Sequence, residues 1–498
     1  MRVVVIGAGF GGLGAARELL GAGVDDVVVL ERGDDVGGVW RDNTYPGAAC
    51  DVPSPLYSWS WAPNPAWSRR YADQPEILDY IRRVARDEGL RDLVRTGQSV
   101  CEAVWDDERA SWRLTTTDGT TYDADVVVSA VGQLSEPAVP RIPGVETFAG
   151  PAFHSAQWRH DVDLTGCRVA VVGTGASAVQ LVPGIVDDVA SMTVFQRSPT
   201  WVLPRPDTVY GARHHRLLRR LPALLAAERR ATFRLTELYN RALSGRSVVT
   251  RPLSALIRTA ARAHLRRHVA DPALRRALTP TDPVGCKRLL FADEWYPALA
   301  REHVELVTQP VGAVEPGGVR TEDGRLHEAD VLIWGTGFAA TDFLRSIRVV
   351  GREGRVLSET WSEGASAHLG VTVPGFPNLF CVYGPHTNLG GSSIIGMLEA
   401  QARWIAQVAR RLAATGARSA EVDATVARRW EQEMDERLAD TVWARCDSWY
   451  RRGTTVPTNW PGRVAEYHQR LARVDWDELV LDDHREHPRA DQSAARTP

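Results

Sequence analysis

Several things are scarce in this 498-residue chain, and each scarcity removes a class of protein. Its six cysteines (Cys50, Cys101, Cys167, Cys286, Cys381, Cys446) contain no C-x-x-C spacing. That argues against a zinc site and a disulfide scaffold, and points to a reducing cytoplasm. Positive charge is not in excess. A formal net charge of −3 excludes a chain built as a whole around nucleic acid. Long apolar runs are missing too: the longest stretch free of Asp, Glu, Lys, Arg and His, 169–186, is broken by Gly173, Gly175, Pro183 and Gly184. It reads as strand, turn and helix rather than a membrane span. No basic n-region or apolar h-region precedes the first strand, so no signal peptide is expected. What remains is 44% apolar and 24% charged, an ordinary globular composition with room for two or three domains.

The first 35 residues form one strand–helix–strand unit. VVVIGAG is a buried parallel strand running into a glycine turn, GLGAARELLGAG has helical spacing, and DVVVLERG is the next strand. DVVVSAVG at 125–132 is a further buried strand. The alternating segment before it, turning at Asp118-Gly119, reads as a small antiparallel excursion. After the proline-rich connector EPAVPRIPG the pattern repeats: CRVAVVGTGASAVQ, then SMTVFQRSP, then LHEADVLIWGTGF as the closing strand. NLFCVYGP at 378–385 returns to the first sheet. A helix near 395–413 follows, with Met397, Leu398, Ala402, Ile405 and Val408 on one side. The fold class is therefore α/β, with two Rossmann-like dinucleotide-binding domains, the second inserted in the first. Expected boundaries are 1–145, 146–345 (containing a helical insertion, 206–284) and 346–485, with a polar, disordered tail at 486–498. Within 212–280, sixteen arginines face three acidic residues. The first reading is a helical insertion whose arginines are solvated or paired with acidic surface. A peripheral contact with an anionic membrane is the lesser one.

Gly7-x-Gly9-x-x-Gly12 lies between a strand and a helix. The first glycine makes the tight turn, the second admits a pyrophosphate and the third allows close helix–strand packing. Glu31 ends the next strand, where a carboxylate can accept from two ribose hydroxyls, so this site suits an unphosphorylated ribose such as that of FAD, although composition alone does not assign which site holds the flavin. Gly173-x-Gly175-x-x-Ala178 repeats the arrangement. At the matching interval the carboxylate is replaced by Arg197, followed by Ser198, and a guanidinium there suits the 2′-phosphate of NADP. Thr174 and Ser177 are further candidate donors. Two linked sites of opposite ribose chemistry imply hydride passing from a nicotinamide to a flavin.

Further motifs surround these fingerprints: GGVWRDNTYPGAACD at 37–51, FAGPAFHSAQW at 148–158 (FxGxxxHxxxW), GCKR at 285–288, GTGF at 335–338, GPHTNLGGSS at 384–393 and SWY…NWPG at 448–462. In this combination the chain resembles the type I Baeyer–Villiger monooxygenases, of the class B flavoprotein monooxygenases. The resemblance implies an NADPH- and O2-dependent enzyme in the cytoplasm. In that family, FAD reduced by NADPH forms a C4a-peroxyflavin that inserts one oxygen beside a ketone carbonyl, giving an ester or lactone. It implies that Arg288 stabilises the peroxide charge with Asp51 as its partner. Lys287 joins Arg197 at the 2′-phosphate, Trp449 lies over the nicotinamide ribose, and Gly38, Trp40, Tyr45 and Asp51 border the flavin. His154 and Trp158 become a conformational linker between domains. His386 and Asn388 are candidates to line the flavin side of the substrate cavity, with a turn-forming role the equal alternative. The family usually has Pro or Asp after the linker tryptophan. Here Arg159 stands there, with a local effect expected. A heteroatom monooxygenase acting on sulfides or amines is the alternative. No metal and no nucleic-acid partner is expected.

Overall fold

The computed structural model describes residues 1–244, 251–446 and 448–482. The tail expected at 486–498 and the 245–250 stretch of the insertion lie outside them. Within the first half, β1 (Arg2–Ile6), β2 (Asp26–Leu30) and β3 (Val94–Arg95) are followed by β4 (Val100–Asp106), β5 (Ser111–Thr116), β6 (Thr121–Ala124) and β7 (Val126–Ser129). The second half supplies β8 (Ala152–His154), β9 (Arg168–Val172), β10 (Ser191–Phe195), β11 (Val304–Val307) and β12 (Val331–Trp334). The chain then adds β13 (Arg348–Val350) and β14 (Leu379–Cys381). One parallel sheet runs β14-β7-β1-β2-β3 and the other β11-β10-β9-β12-β8. The inserted half is thus bracketed by segments of the first, since β14 comes back to pair with β7 in register Leu379 to Val127.

Unbroken valine runs make these strands because both faces are covered. Val3, Val4 and Val5 are fully buried, each contributing on the order of 1.5–3 kcal/mol of burial. On one face lie α1 (Phe10–Gly21) and a long C-terminal helix, Ile394–Thr415, packed through Leu13, Ala16, Leu398 and Ile405. On the other face lies the antiparallel excursion β4–β5–β6, edged by β13, through Trp105, Trp112 and Leu114. In the second half, α2 (Ala176–Ile185) covers β9 and β10 with Val179 and Val182. Two segments cross between the halves, and they run antiparallel. Ala138 N–H donates to Gly337 O at 2.9 Å, Ala339 N–H to Glu136 O at 2.9 Å, and Thr336 Oγ1 to Ala138 O at 2.6 Å.

The insertion is helical: α3 (Ala212–Arg220), α4 (Pro222–Ser244), α5 (Arg251–His268) and α6 (Pro272–Ala277). Its arginines are not paired with acidic surface. Among the described residues none of those from Arg213 to Arg276 lies within 4.0 Å of a carboxylate. Arg229 bonds the Pro55 carbonyl and Arg262 lies over the Trp201 ring. Cys286 and Cys446, 160 residues apart, form a disulfide with Cα atoms 5.6 Å apart. Scattered spacing argued against pairing. This bridge depends on the tertiary meeting of the insertion's exit with the C-terminal segment, which spacing does not report.

Candidate active site

A cavity of about 1050 Å³ spans the carboxyl ends of both parallel sheets and takes in both glycine turns. Parallel strands end there on glycine turns, so the backbone amides of two helix N-termini face one space. Neither α1, entered at Gly9, nor α2, entered at Gly175, has a side-chain cap. Their first-turn N–H groups are therefore available to an anionic ligand.

In the first turn Gly7 has φ +104°, and a Cβ on Gly12 would overlap the Gly7 carbonyl. Gly12 is thus a packing glycine, while Gly7, Gly9 and Gly38 line the cavity. Glu31 is buried. Its Oε2 accepts from Ala8 N–H at 2.8 Å, and its Oε1 from Gly33 N–H at 2.8 Å and Arg41 Nη1 at 2.7 Å. A carboxylate has about four lone-pair sites. Three are taken, which leaves Glu31 room for one ribose hydroxyl rather than two, with the Arg41 guanidinium beside it. Glycine backbone, uncapped amides and a fixed carboxylate together fit the adenosine diphosphate half of FAD.

The second turn repeats this with a basic ribose end. Gly173 has φ +114°, and a Cβ there would overlap the Gly335 carbonyl. A Cβ on Gly175 would meet nothing within 4 Å, so packing does not require glycine there and the room serves the cavity. Ala178 is buried against Gly335 and packs rather than lines. Arg197 is exposed at the cavity wall and has no carboxylate within 4.0 Å among the described residues. Thr174 Oγ1 bonds Ser198 O at 3.3 Å. Lys287, the only lysine in the chain, donates to Ser198 Oγ at 2.6 Å and pairs with Asp282 at 3.0 Å. Arg197, Ser198 and Lys287 form a cationic group with hydroxyl support, which fits a 2′-phosphate.

Between the two turns lies the YPGA segment. A Cβ on Gly47 would stand 2.6 Å from the Gln180 carbonyl, so the segment packs directly on α2. Gln180 reaches back to Ala49 O at 3.0 Å, and Tyr45 Oη donates to Gln180 Oε1 at 3.0 Å. Burial pushes the Tyr45 phenol up to about 12, opposed by Ser177. Tyr45 therefore acts as a neutral donor joining the halves, while Trp40 lines the wall with its indole N–H 3.1 Å from Tyr57 Oη.

The same segment ends at Asp51, which meets Arg288 in a two-pronged pair. Arg288 Nη2 donates to Oδ1 at 2.7 Å and Nε to Oδ2. Both side chains line the cavity and are about a quarter exposed, 22% and 27%. Burial alone would favour their neutral forms, but each overrides it in the other. The Asp51 carboxyl is held below its ordinary value and the Arg288 guanidinium is held charged. Two of the five guanidinium N–H groups are used, and the other three have no protein partner among the described residues. Two phenols stand near the cation. Burial pushes Tyr450 up to about 12 and raises Tyr383, against the effect of Arg288 on both.

His154 and Trp158 lie away from the cavity. His154 is buried at the end of β8, its Nδ1 accepting from Ala156 N–H at 3.1 Å. Its ring meets Phe338 of the second crossing, centroids 5.6 Å apart. Burial holds its pKa below the ordinary value, with the Gly337 backbone opposing, so it is neutral at pH 7. Trp158 packs edge-on to Phe153, and Arg159 pairs with the neighbouring Asp161. Trp449 lines the cavity, 38% exposed and 4.1 Å from the Tyr450 ring. Asn388 lines it too, accepting from Tyr383 Oη at 2.8 Å. His386 does not: it is buried behind the loop, its N–H bonded to Pro457 O. Motif reading missed Arg41, Tyr57, Gln133 and Tyr383. Tyr383 had a signal, following a buried strand and preceding Gly-Pro. Arg41 had only its neighbourhood to Trp40.

Residues 4–214 match the family described as "Pyridine nucleotide-disulphide oxidoreductase", a stretch holding both glycine turns but no C-x-x-C. A Baeyer-Villiger monooxygenase of Streptomyces coelicolor is 45% identical over 97% of this chain and 92% of its own length. One from Pseudomonas aeruginosa is 40% identical over 93% of this chain and 88% of its own length. Among solved structures, OTEMO in complex with FAD and NADP superposes with a TM-score of 0.87 at 28% identity. That alignment covers 97% of this chain and 99% of the other.

Proposed function

Because the chain belongs to the Baeyer–Villiger monooxygenases, class B flavoprotein monooxygenases that use FAD and NADPH, we propose that Arg288, held by Asp51, is the group on which oxygen insertion depends. When bound, FAD and NADPH supply the electrons and the activated oxygen by which one atom of O2 is inserted beside a ketone carbonyl, giving an ester or lactone.

One observation carries the reading. Arg288 is a fixed cation in the cavity shared by the two turns, with three N–H donors left over after its counter-ion is satisfied. Negative charge grows on oxygen as the carbonyl is attacked, and a preorganised guanidinium lowers the energy of that charge more than mobile water does. Asp51 is a positioning residue: it fixes the plane of the guanidinium and offsets the cost of burying it. The first turn, Glu31 and Arg41 hold FAD, with Gly38, Trp40 and Tyr45 along its wall. The second turn with Thr174, Ser177, Arg197, Ser198 and Lys287 holds NADP, and Trp449 covers its nicotinamide end. Residues 1–145 and 346–485 make up the FAD domain, and 146–345, with the insertion 206–284, the NADP domain. His154 and Trp158 couple them.

The test uses the purified FAD-loaded enzyme with NADPH, O2 and a panel of cyclic, aryl and long-chain ketones, read as product mass of substrate plus one oxygen. Arg288→Ala should retain flavin and its reduction by NADPH but form almost no ester, releasing hydrogen peroxide instead. Asp51→Ala should resemble it in milder form. A near-normal ratio of ester to NADPH consumed in Arg288→Ala would overturn the assignment.

A further inference from the structure

We propose that the outer face of α4, with the arginines of α3 and α4 beside it, seats this enzyme on the surface of an anionic lipid bilayer. Helical periodicity divides α4 into two faces. Leu225, Arg229, Phe233, Thr236, Asn240 and Leu243 fall on one side. They hold the helix down through Arg229 to Pro55 O and Ser58 Oγ, and through Thr236 Oγ1 to Ser392 Oγ at 3.1 Å. Nearly opposite run Leu224, Ala227, Ala231, Leu235 and Leu238, all exposed, a stripe about 21 Å long at 1.5 Å per residue. Leu224, Leu235 and Leu238 are 40%, 56% and 50% exposed. Leu217 of α3 and Leu221, just before α4, are exposed as well, at 46% and 51%. These five are among only twelve large apolar side chains exposed anywhere in the described residues, so the patch is a concentration and not the usual scatter.

Charge identifies the occupant. Arg213, Arg216, Arg219, Arg220, Arg230, Arg234 and Arg241 are exposed along the same run, and none lies within 4.0 Å of a described carboxylate. The two acids of α4 do not offset them. Glu237 is turned inward, accepting from the N–H groups of Val464 and Ala465 at 3.1 Å, and Glu228 is half-buried. A leucine stripe flanked by unpaired arginines suits a surface that is apolar below and anionic above, where long side chains keep their charges among headgroups. A second copy of the chain suits it poorly, because a two-fold interface would bring the seven arginines against seven more. Nucleic acid would leave the leucines unused. No helix among the described residues is long and apolar enough to cross a membrane, so the enzyme would lie on the surface. The position has a use. The inner face of α4 rests on the 388–392 loop, whose Asn388, Leu389 and Ser392 line the cavity, so a lipid-dissolved substrate would lie one helix from the site.

Co-sedimentation of the full-length FAD-bound protein with vesicles tests this. It should pellet with equimolar phosphatidylglycerol and phosphatidylcholine at 50 mM NaCl, release at 300 mM, and ignore pure phosphatidylcholine. The double variants Leu235→Glu/Leu238→Glu and Arg230→Glu/Arg234→Glu should each lower the bound fraction about ten-fold. Flavin content and turnover of a water-soluble ketone should be unchanged, which separates this test from that of the catalytic assignment. No binding at low salt overturns the proposal. So does binding that the leucine variant leaves intact, the sign of an unspecific polyanion site, or a leucine variant whose effect is to split a dimer in gel filtration.

Discussion

Arg197 is the residue proposed to set coenzyme choice. It is exposed, uncommitted to any described carboxylate, and adjacent to Ser198, which Lys287 also contacts. A charge-assisted contact is worth on the order of 1.5–3 kcal/mol. Arg197→Ala should therefore narrow the preference for NADPH over NADH by about ten-fold or more in stopped-flow flavin reduction. An unchanged ratio would remove Arg197 from the 2′-phosphate. This residue could be read without a structure because it ends a strand at the same interval from its turn as Glu31. The state of Glu31 could not: Arg41 occupies one of its oxygens through a side chain folding back ten residues, and no periodicity encodes that. Of the two readings of His386, cavity wall or turn, the structure favours the turn. His386 shares a loop with Asn388, but at φ +59° it turns away from the cavity that Asn388 faces.

At the scale of elements, the two crossings between halves matter most. They form a short antiparallel ribbon, and the second carries Phe338 against His154. A neutral, buried imidazole wedged there couples strand β8 to the ribbon, so its loss should disturb how one half moves on the other. His154→Ala should keep its FAD yet turn over slowly, with the defect in flavin reduction by NADPH. Normal reduction with a slow ester-forming step would instead mark a proton-transfer role. Measuring the two half-reactions separately distinguishes these. The buried strands, the β4–β6 excursion and the return of β14 were legible because each is local and strongly patterned. The ribbon was not: its bonds join residues about 200 apart, through proline-rich sequence that reads only as a connector. The same holds for α4, whose arginine content was plain but whose apolar outer face needed its inner contacts to be known.

For the whole molecule, buried histidines should set the acid limit. His154, His264, His386 and His468 are all held below the ordinary histidine value by burial, His386 at about 4. The unfolded chain takes up these protons near pH 6.5, while the folded chain resists. Stability should be full above about pH 7 and fall as pH drops through 6.5. His386 alone should cost about 3 kcal/mol by the time pH reaches its folded value. Asp51 acts lower: its depressed value means its contribution is present above about pH 4 and is lost only below that. Thermal midpoints from pH 4 to 8 should show this decline, and His386→Asn, a residue that tolerates positive φ, should flatten it. An unchanged acid limb in that variant would show that His386 is not a source of it.

Of the chain's 59 lysine and arginine side chains a single one is lysine, and it lines the cavity. Chemically the enzyme is therefore almost without side-chain amines. Reagents specific for amines find one side chain to modify. Lys287 is held against Ser198 and Asp282, and in the proposed NADP site the bound coenzyme would cover it. Arginine, unreactive to such electrophiles at neutral pH, carries the rest of the positive charge. On the proposed assignment, coenzyme occupancy and amine-directed chemistry thus meet at one nitrogen.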